Sequence, residues 1–125
     1  MALTVTVRKV GNVSIVDING KITLGENTGM LRDEVRSLLS KGAKNLVLNM
    51  AHVGYIDSSG LGELVSAYTT AANQGSSLKL LNLQSKARDL MQLTKLYTVF
   101  AVFEDEKTAV ESFGAGAKIL KSESS

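Results

Sequence analysis

Hydrophobic and polar residues alternate in two runs near the start of the chain, Leu3 to Lys9 and Val13 to Asn19. A period of two places successive side chains on opposite faces, the pattern of a half-buried strand, and both runs are rich in β-branched residues. Between them stands Val10-Gly11-Asn12, where Gly and Asn make a positive φ cheap, so an antiparallel hairpin is expected. Gly20-Lys21-Ile22-Thr23-Leu24-Gly25-Glu26 then leads off the sheet, with Thr23 and Glu26 spaced as a capping box. Leu31, Val35, Leu38 and Leu39 recur at helical spacing, and Gly42 after Lys41 is a natural stop. The first helix is expected from about Leu24 to Lys41.

The pattern changes at Lys44 to Met50, where Leu46-Val47-Leu48 is a continuous apolar run of the kind found in strands covered on both faces. Leu61, Leu64, Val65, Tyr68 and Ala72 follow at helical spacing, predicting a helix from Ser58 to Asn73 that ends at Gln74-Gly75. Leu78 to Leu83 reads as a strand, so the order strand, helix, strand implies a parallel pair with a right-handed crossover. Ser85 is placed to cap a third helix with Ala87, Leu90, Met91 and Thr94 along one side. Val99 to Phe103 is a short last strand, and Asp105 caps a helix with Ala109, Val110 and Phe113 inward. The expected fold is α/β: a mixed sheet of about five strands, the hairpin plus parallel strands, with about four helices packed on it. Residues 1–113 form this domain, and 114–125, small and then Lys/Ser/Glu-rich, read as a flexible tail.

Composition narrows the function classes. A chain of 125 residues suits one domain with a real core. Its longest apolar runs fall short of the roughly 18 residues that a membrane span requires, and the strand-like start does not resemble a secretory signal. No membrane insertion and a cytoplasmic location are therefore expected. The absence of cysteine removes thiolate chemistry, disulfides and cysteine-ligated metals. With 14 basic and 12 acidic residues scattered along the chain, and aromatic residues at 5%, there is no clustered basic surface with stacking rings for nucleic acid. No cofactor or metal is expected, since a phosphate-cradling Gly-rich loop and zinc-ligand spacings are both missing.

Candidate chemistry concentrates in Val53-Gly54-Tyr55-Ile56-Asp57-Ser58-Ser59-Gly60-Leu61-Gly62, where an apolar strand gives way to an amphipathic helix. Asp57, Ser58 and Ser59 are all good N-caps, and Gly60 and Gly62 keep the first turn bare, allowing another backbone to approach. Unpaired N–H groups and the helix macrodipole make that end favourable to an anion. Ser58 by itself reads equally as a helix cap. Asp57 either orients the Ser58 hydroxyl or caps the helix, and Ser59 is a spare hydroxyl. His52, the sole histidine, is read as a solvated loop residue, and Ile56 occupies the place where a nucleophile elbow would carry glycine. Leu90, Met91, Leu93, Leu96 and Tyr97 are too many for one helical stripe, so they divide between core and surface.

Val47-Leu48-Asn49-Met50 together with Val53 to Gly62 resembles the signature of the STAS domain and, within it, of the bacterial anti-sigma factor antagonists. The likeness covers about Leu3 to Phe113, and its most specific part is Asp57-Ser58-Ser59-Gly60-Leu61-Gly62. The resemblance implies that Ser58, directly after the Asp, is the hydroxyl phosphorylated by an anti-sigma factor that is also an ATP-dependent serine kinase. It further implies a serine phosphatase as second partner, and no catalysis by the chain itself. Such antagonists often carry an acidic residue in the turn before the first helix, where this chain has Gly20-Lys21-Ile22-Thr23. The alternatives are a small-ligand module binding a nucleotide or another anion at the same helix terminus, or an accessory subunit of a transporter or sensory complex.

Overall fold

The computed structural model describes residues 3–23 and 29–113. Strand β1 (Thr4–Val10) turns through Gly11-Asn12 into β2 (Val13–Ile22), and the two pair antiparallel from Thr4 opposite Asn19 to Val10 opposite Val13. Gly11 takes φ 61, so positive φ falls on the first central turn residue, where glycine adopts it without strain. The chain continues through helix α1 (Met30–Ser40), strand β3 (Asn45–Ile56), helix α2 (Ser58–Asn73) and strand β4 (Ser77–Leu81). Helix α3 (Ser85–Thr94), a 3-10 turn at Leu96–Thr98, strand β5 (Val102–Phe103) and helix α4 (Glu106–Glu111) complete it. The sheet order is β1-β2-β3-β4-β5, with β2, β3, β4 and β5 parallel.

Both faces of the sheet are used. Leu46 and Leu48 of β3 join a large cluster with Leu31, Val35 and Leu39 of α1 and with Leu61, Leu64, Ala67 and Ala71 of α2. Val47, between them in sequence, points the other way into a smaller cluster with Val13, Ile15, Leu81 and Ala109 of α4. All three β3 residues are fully buried, which explains why this strand reads as a continuous apolar run. Each such side chain contributes about 1.5 to 3 kcal/mol of transfer free energy, so β3 is the thermodynamic centre of the domain.

Glycines end the two long helices in the same way. At α1, Gly42 (φ 94) donates to the Leu39 carbonyl while Ala43 donates to that of Leu38; at α2, Gly75 (φ 75) and Ser76 repeat this with Ala72 and Ala71. This paired capping needs a left-handed residue, and glycine supplies it.

Several boundaries differ from the sequence-based expectation. Helix α1 starts at Met30, with Gly29 left-handed at φ 88 as its N-cap, and the expected start near Leu24 lies outside the described residues. The Thr23–Glu26 capping box involves residues 24–28, which lie outside the described residues, as does the tail 114–125. Strand β3 runs six residues past Met50, helped by register shifts against β2 between Asp17 and Asn19 and between Gly20 and Lys21. His52 is consequently a strand residue opposite Asn19, exposed, and not a loop residue. Gln84 is the N-cap of α3 and Ser85 its first residue, with no side-chain cap. The last strand, expected from Val99, covers only Val102–Phe103, because the Val99 and Phe100 amides donate back to the Leu96 carbonyl and close the turn that precedes it.

A polar ladder crosses the sheet where β2 and β3 begin to shift register. Arg8 donates to Asp17 (2.7 Å), Asn49 Nδ2 donates to Asp17 Oδ1 (2.8 Å), and Asn82 Nδ2 donates to Asn49 Oδ1 (3.2 Å). Arg8 also reaches Glu106 of α4 at 2.6 Å. These bonds hold the Asp17 and Glu106 carboxyls below the usual carboxylate range, Arg8 being the largest cause for each.

Candidate functional site

Ile56, 1% exposed, ends β3 inside the core, and the next residue leaves the sheet. Asp57 is extended (φ −108, ψ −176) and its Oδ1 accepts a hydrogen bond from the Gly60 amide at 2.8 Å. Asp57 is therefore the N-cap of α2, and neither serine is. Its backbone carbonyl accepts the first intrahelical bond, from Leu61 at 2.9 Å. Ser58 and Ser59 are the first two helical residues, both exposed, at the end where the macrodipole concentrates positive charge.

The turn is fixed from beneath by β2. The Ile22 carbonyl accepts from the Asp57 amide at 3.4 Å, and Gly60 lies so close to it that an added Cβ would stand 1.8 Å from that oxygen. Gly60 thus serves the approach of a packed neighbour. At Gly62 a Cβ would meet nothing within 4 Å, so this glycine leaves a bare, exposed strip beside the serines. Asp57, Ser58, Ser59, Gly60 and Gly62 are accordingly brought together in one helical end, with internal roles for Asp57 and Gly60 and solvent-facing positions for the other three.

Two features near this end had no local signal. Glu63 accepts from the Gly29 amide (3.2 Å) and from Arg32 Nη1 (3.4 Å), so a carboxylate of α2 sits at the N-terminal end of α1 and ties the two helices. Lys86 at the start of α3 places its ammonium 5.4 Å from the Tyr55 ring centroid. Tyr55 is 39% exposed and lies opposite Lys21 in the β2–β3 register. Contacts between side chains of distant segments have no signature in spacing along the chain.

The apolar residues around α3 divide as follows. Met91 is buried, Leu90 and Leu96 pack partly buried against the core, and Leu93 and Tyr97 are exposed at 82% and 54%. A cleft of about 500 Å³ beside them is lined by Leu83, Arg88, Met91, Tyr97, Val102 and Glu104, among others, and none of the serine-turn residues lines it. Among the described residues no helix is long and apolar enough to cross a membrane.

Known proteins resemble this chain along nearly its whole length. The family model described as STAS domain matches residues 4–109. The anti-sigma-B factor antagonist of Bacillus subtilis (strain 168) is 31% identical over 111 residues, covering 89% of this chain and 100% of that protein. The crystal structure of a putative anti-sigma factor antagonist from Thermotoga maritima superposes with a TM-score of 0.79 at 24% identity, over 86% of this chain and 92% of that one. The anti-sigma factor antagonist SpoIIAA matches in its unphosphorylated form with a TM-score of 0.73 at 17% identity, over 88% of this chain and 96% of that one. The phosphorylated form of the Bacillus protein matches with 0.68 at 17%, over 89% and 100%. At these identities the structural likeness is one of fold.

Proposed function

Because the chain belongs to the STAS domain family, among the anti-sigma factor antagonists, we propose that it is a partner-switching protein whose attachment to an anti-sigma factor is controlled by phosphate on Ser58. Unmodified, it binds an anti-sigma factor with serine kinase activity and so frees a sigma factor. Once Ser58 is phosphorylated it lets go, and a serine phosphatase restores it. The protein is a substrate in this cycle, works in the cytoplasm and catalyses nothing itself.

The observation that carries the reading is the division of labour in the turn. Asp57 does the capping, so the Ser58 hydroxyl is not consumed by the helix it begins, and it stands exposed on a rigid base. Phosphate adds about 1.5 to 2 negative charges. The helix end favours them and Asp57 next door opposes them, so the backbone has little reason to move. Release then follows from bulk and charge at the contact surface. Incubation with a cognate anti-sigma factor kinase and Mg-ATP, followed by mass spectrometric localisation, is the test. Phosphate on Ser58 with loss of the complex is expected; phosphate on Ser59 alone, or a complex that survives modification of Ser58, overturns the reading.

A second reading, binding of a small molecule, is favoured by the cleft between α3 and β5, whose size suits a compact ligand and whose lining mixes apolar walls with Arg88 and Glu104. A ligand confined to the folded state must raise its melting temperature, so thermal shifts with GTP, ATP and phosphate separate this reading from the first.

A further inference from the structure

We propose that the cleft between α3 and β5 is a binding site for a zwitterion, an α-amino acid with a large apolar side chain, whose carboxylate is held by Arg88 and whose ammonium is held by Glu104. The proposal rests on the small-molecule reading of that cleft and deepens it by naming the class of ligand.

The cleft is an uncovered margin of the larger core. Val102 pairs with Leu80 in the β4–β5 register, so the two side chains share one face of the sheet. Leu80 is fully buried, whereas Val102 is 38% exposed: α3 packs against β3, two strands inward, and leaves the edge strand open. Met91 of α3 and Leu83, 2% and 5% exposed, close the floor. Lys95 is left-handed at φ 62, where helices favour glycine, and turns the chain out of α3 toward Tyr97, whose ring borders the opening. The cleft lies at the carboxyl ends of the parallel strands β4 and β5, the side on which open α/β sheets take up ligands.

Arg88 donates from Nη2 to the Leu83 carbonyl at 2.9 Å, which anchors the guanidinium at the cleft and leaves its other N–H groups for a ligand. Glu104 directly follows β5 and lines the same cleft. The ion pairs among the described residues are those of Arg8 with Asp17 and Glu106 and of Arg32 with Glu63, so Arg88 and Glu104 share a cleft without joining each other. One cation and one anion, contributed by different elements, match the two ends of a zwitterion. The same count disfavours a nucleotide or free phosphate, because these are the only charged residues of the lining and they cancel. Met91 and Gln92 belong to the last turn of α3, whose negative end favours an ammonium over a phosphate. A volume of about 500 Å³ leaves room for a side chain as large as an aromatic ring, and the Met91 sulfur and the Tyr97 ring are favourable neighbours for one.

The test titrates L-phenylalanine into the full chain labelled with 15N. Saturable amide shifts are expected at residues 83, 88, 91, 92, 97 and 102–104, with a Kd of about 1 mM or tighter. Hydrocinnamate lacks the ammonium, phenethylamine lacks the carboxylate and L-alanine lacks the ring, so each should bind at least about tenfold more weakly. Arg88→Gln should erase the advantage of phenylalanine over phenethylamine, and Glu104→Gln its advantage over hydrocinnamate. Glu104→Gln leaves the Arg88 bond to Leu83 in place, so a loss of binding there is not a loss of folding, and an undisturbed spectrum of the free variant verifies it. Shifts centred on the serine turn, or phenylalanine affinity unchanged in both variants, overturn the site. If hydrocinnamate or ATP saturates the cleft amides as tightly as phenylalanine does, the zwitterion is overturned while the small-molecule reading stands. If none of these compounds, nor GTP or phosphate, shifts them, both fall together.

Discussion

The α-carbon of Gly60 and the carbonyl of Ile22 are in direct contact: a methyl group at residue 60 would lie 1.8 Å from the Ile22 oxygen and 2.7 Å from its carbonyl carbon. The second strand and the second helix therefore meet through backbone, and the serines owe their position to that contact. Gly60→Ala is expected to destabilise the domain by about 3 kcal/mol, as overpacking against an immovable backbone does. Gly62→Ala, two residues on and facing open space, should be neutral or stabilising by about 0.5 to 1 kcal/mol, because it replaces glycine within a helix. Urea unfolding of the two variants checks the contrast, and similar losses for both would refute it.

Asp57→Ala removes the oxygen that accepts from Gly60. A loss of about 1 kcal/mol is expected, with Asp57→Asn recovering most of it, since either side chain can cap. Thermal denaturation at neutral pH measures both.

Ser58→Ala should bind an anti-sigma factor constitutively, and Ser58→Asp or Ser58→Glu should bind poorly. Because the side chain is exposed and the cap lies elsewhere, all three should stay within about 0.5 kcal/mol of wild-type stability. Calorimetric titration against the anti-sigma factor, paired with unfolding curves, distinguishes altered recognition from altered folding; equal affinities would remove Ser58 from the mechanism.

Arg8 joins Asp17 on the neighbouring strand to Glu106 on the last helix. Both carboxyls titrate lower in the folded protein than in the unfolded chain, so their contribution is present above about pH 4 and is lost as the pH falls through the folded values. All three side chains are 30% to 42% exposed, so each pair is worth only about 1 kcal/mol or less and weakens with salt. In Arg8→Met, stability should fall less steeply between about pH 5 and pH 3 than in the wild type. Melting temperatures across that range, at low and high salt, provide the measurement.

Local order around the serine turn was legible in the sequence because one physical pattern dominated it. Leu61 and Leu64 mark the buried face of α2, a cap precedes it and Gly75 ends it, so its bounds Ser58–Asn73 are those the spacing predicts. What stayed hidden depends on partners remote in the chain. Among three adjacent residues that could all cap, only the hydrogen bond from the Gly60 amide to the Asp57 side chain shows which one is used. The extension of β3 to Ile56 was missed because His52, Gly54 and Tyr55 are exposed and the strand shifts register there, which erases the alternation. Gly29 read as one more residue in a helical run, and its left-handed conformation is a tertiary outcome supported by Glu63 of another helix. The ladder from Arg8 through Asp17 and Asn49 to Asn82 spans three strands and a loop, and nothing local announces it.

In this sheet the spatial sequence of strands repeats their order along the polypeptide without a single exchange. Each strand emerging from a ribosome finds its neighbour already made, and assembly can advance steadily from one margin to the other. Closure of any pairing spans only one intervening segment, which keeps the entropy of ring formation small and favours rapid folding.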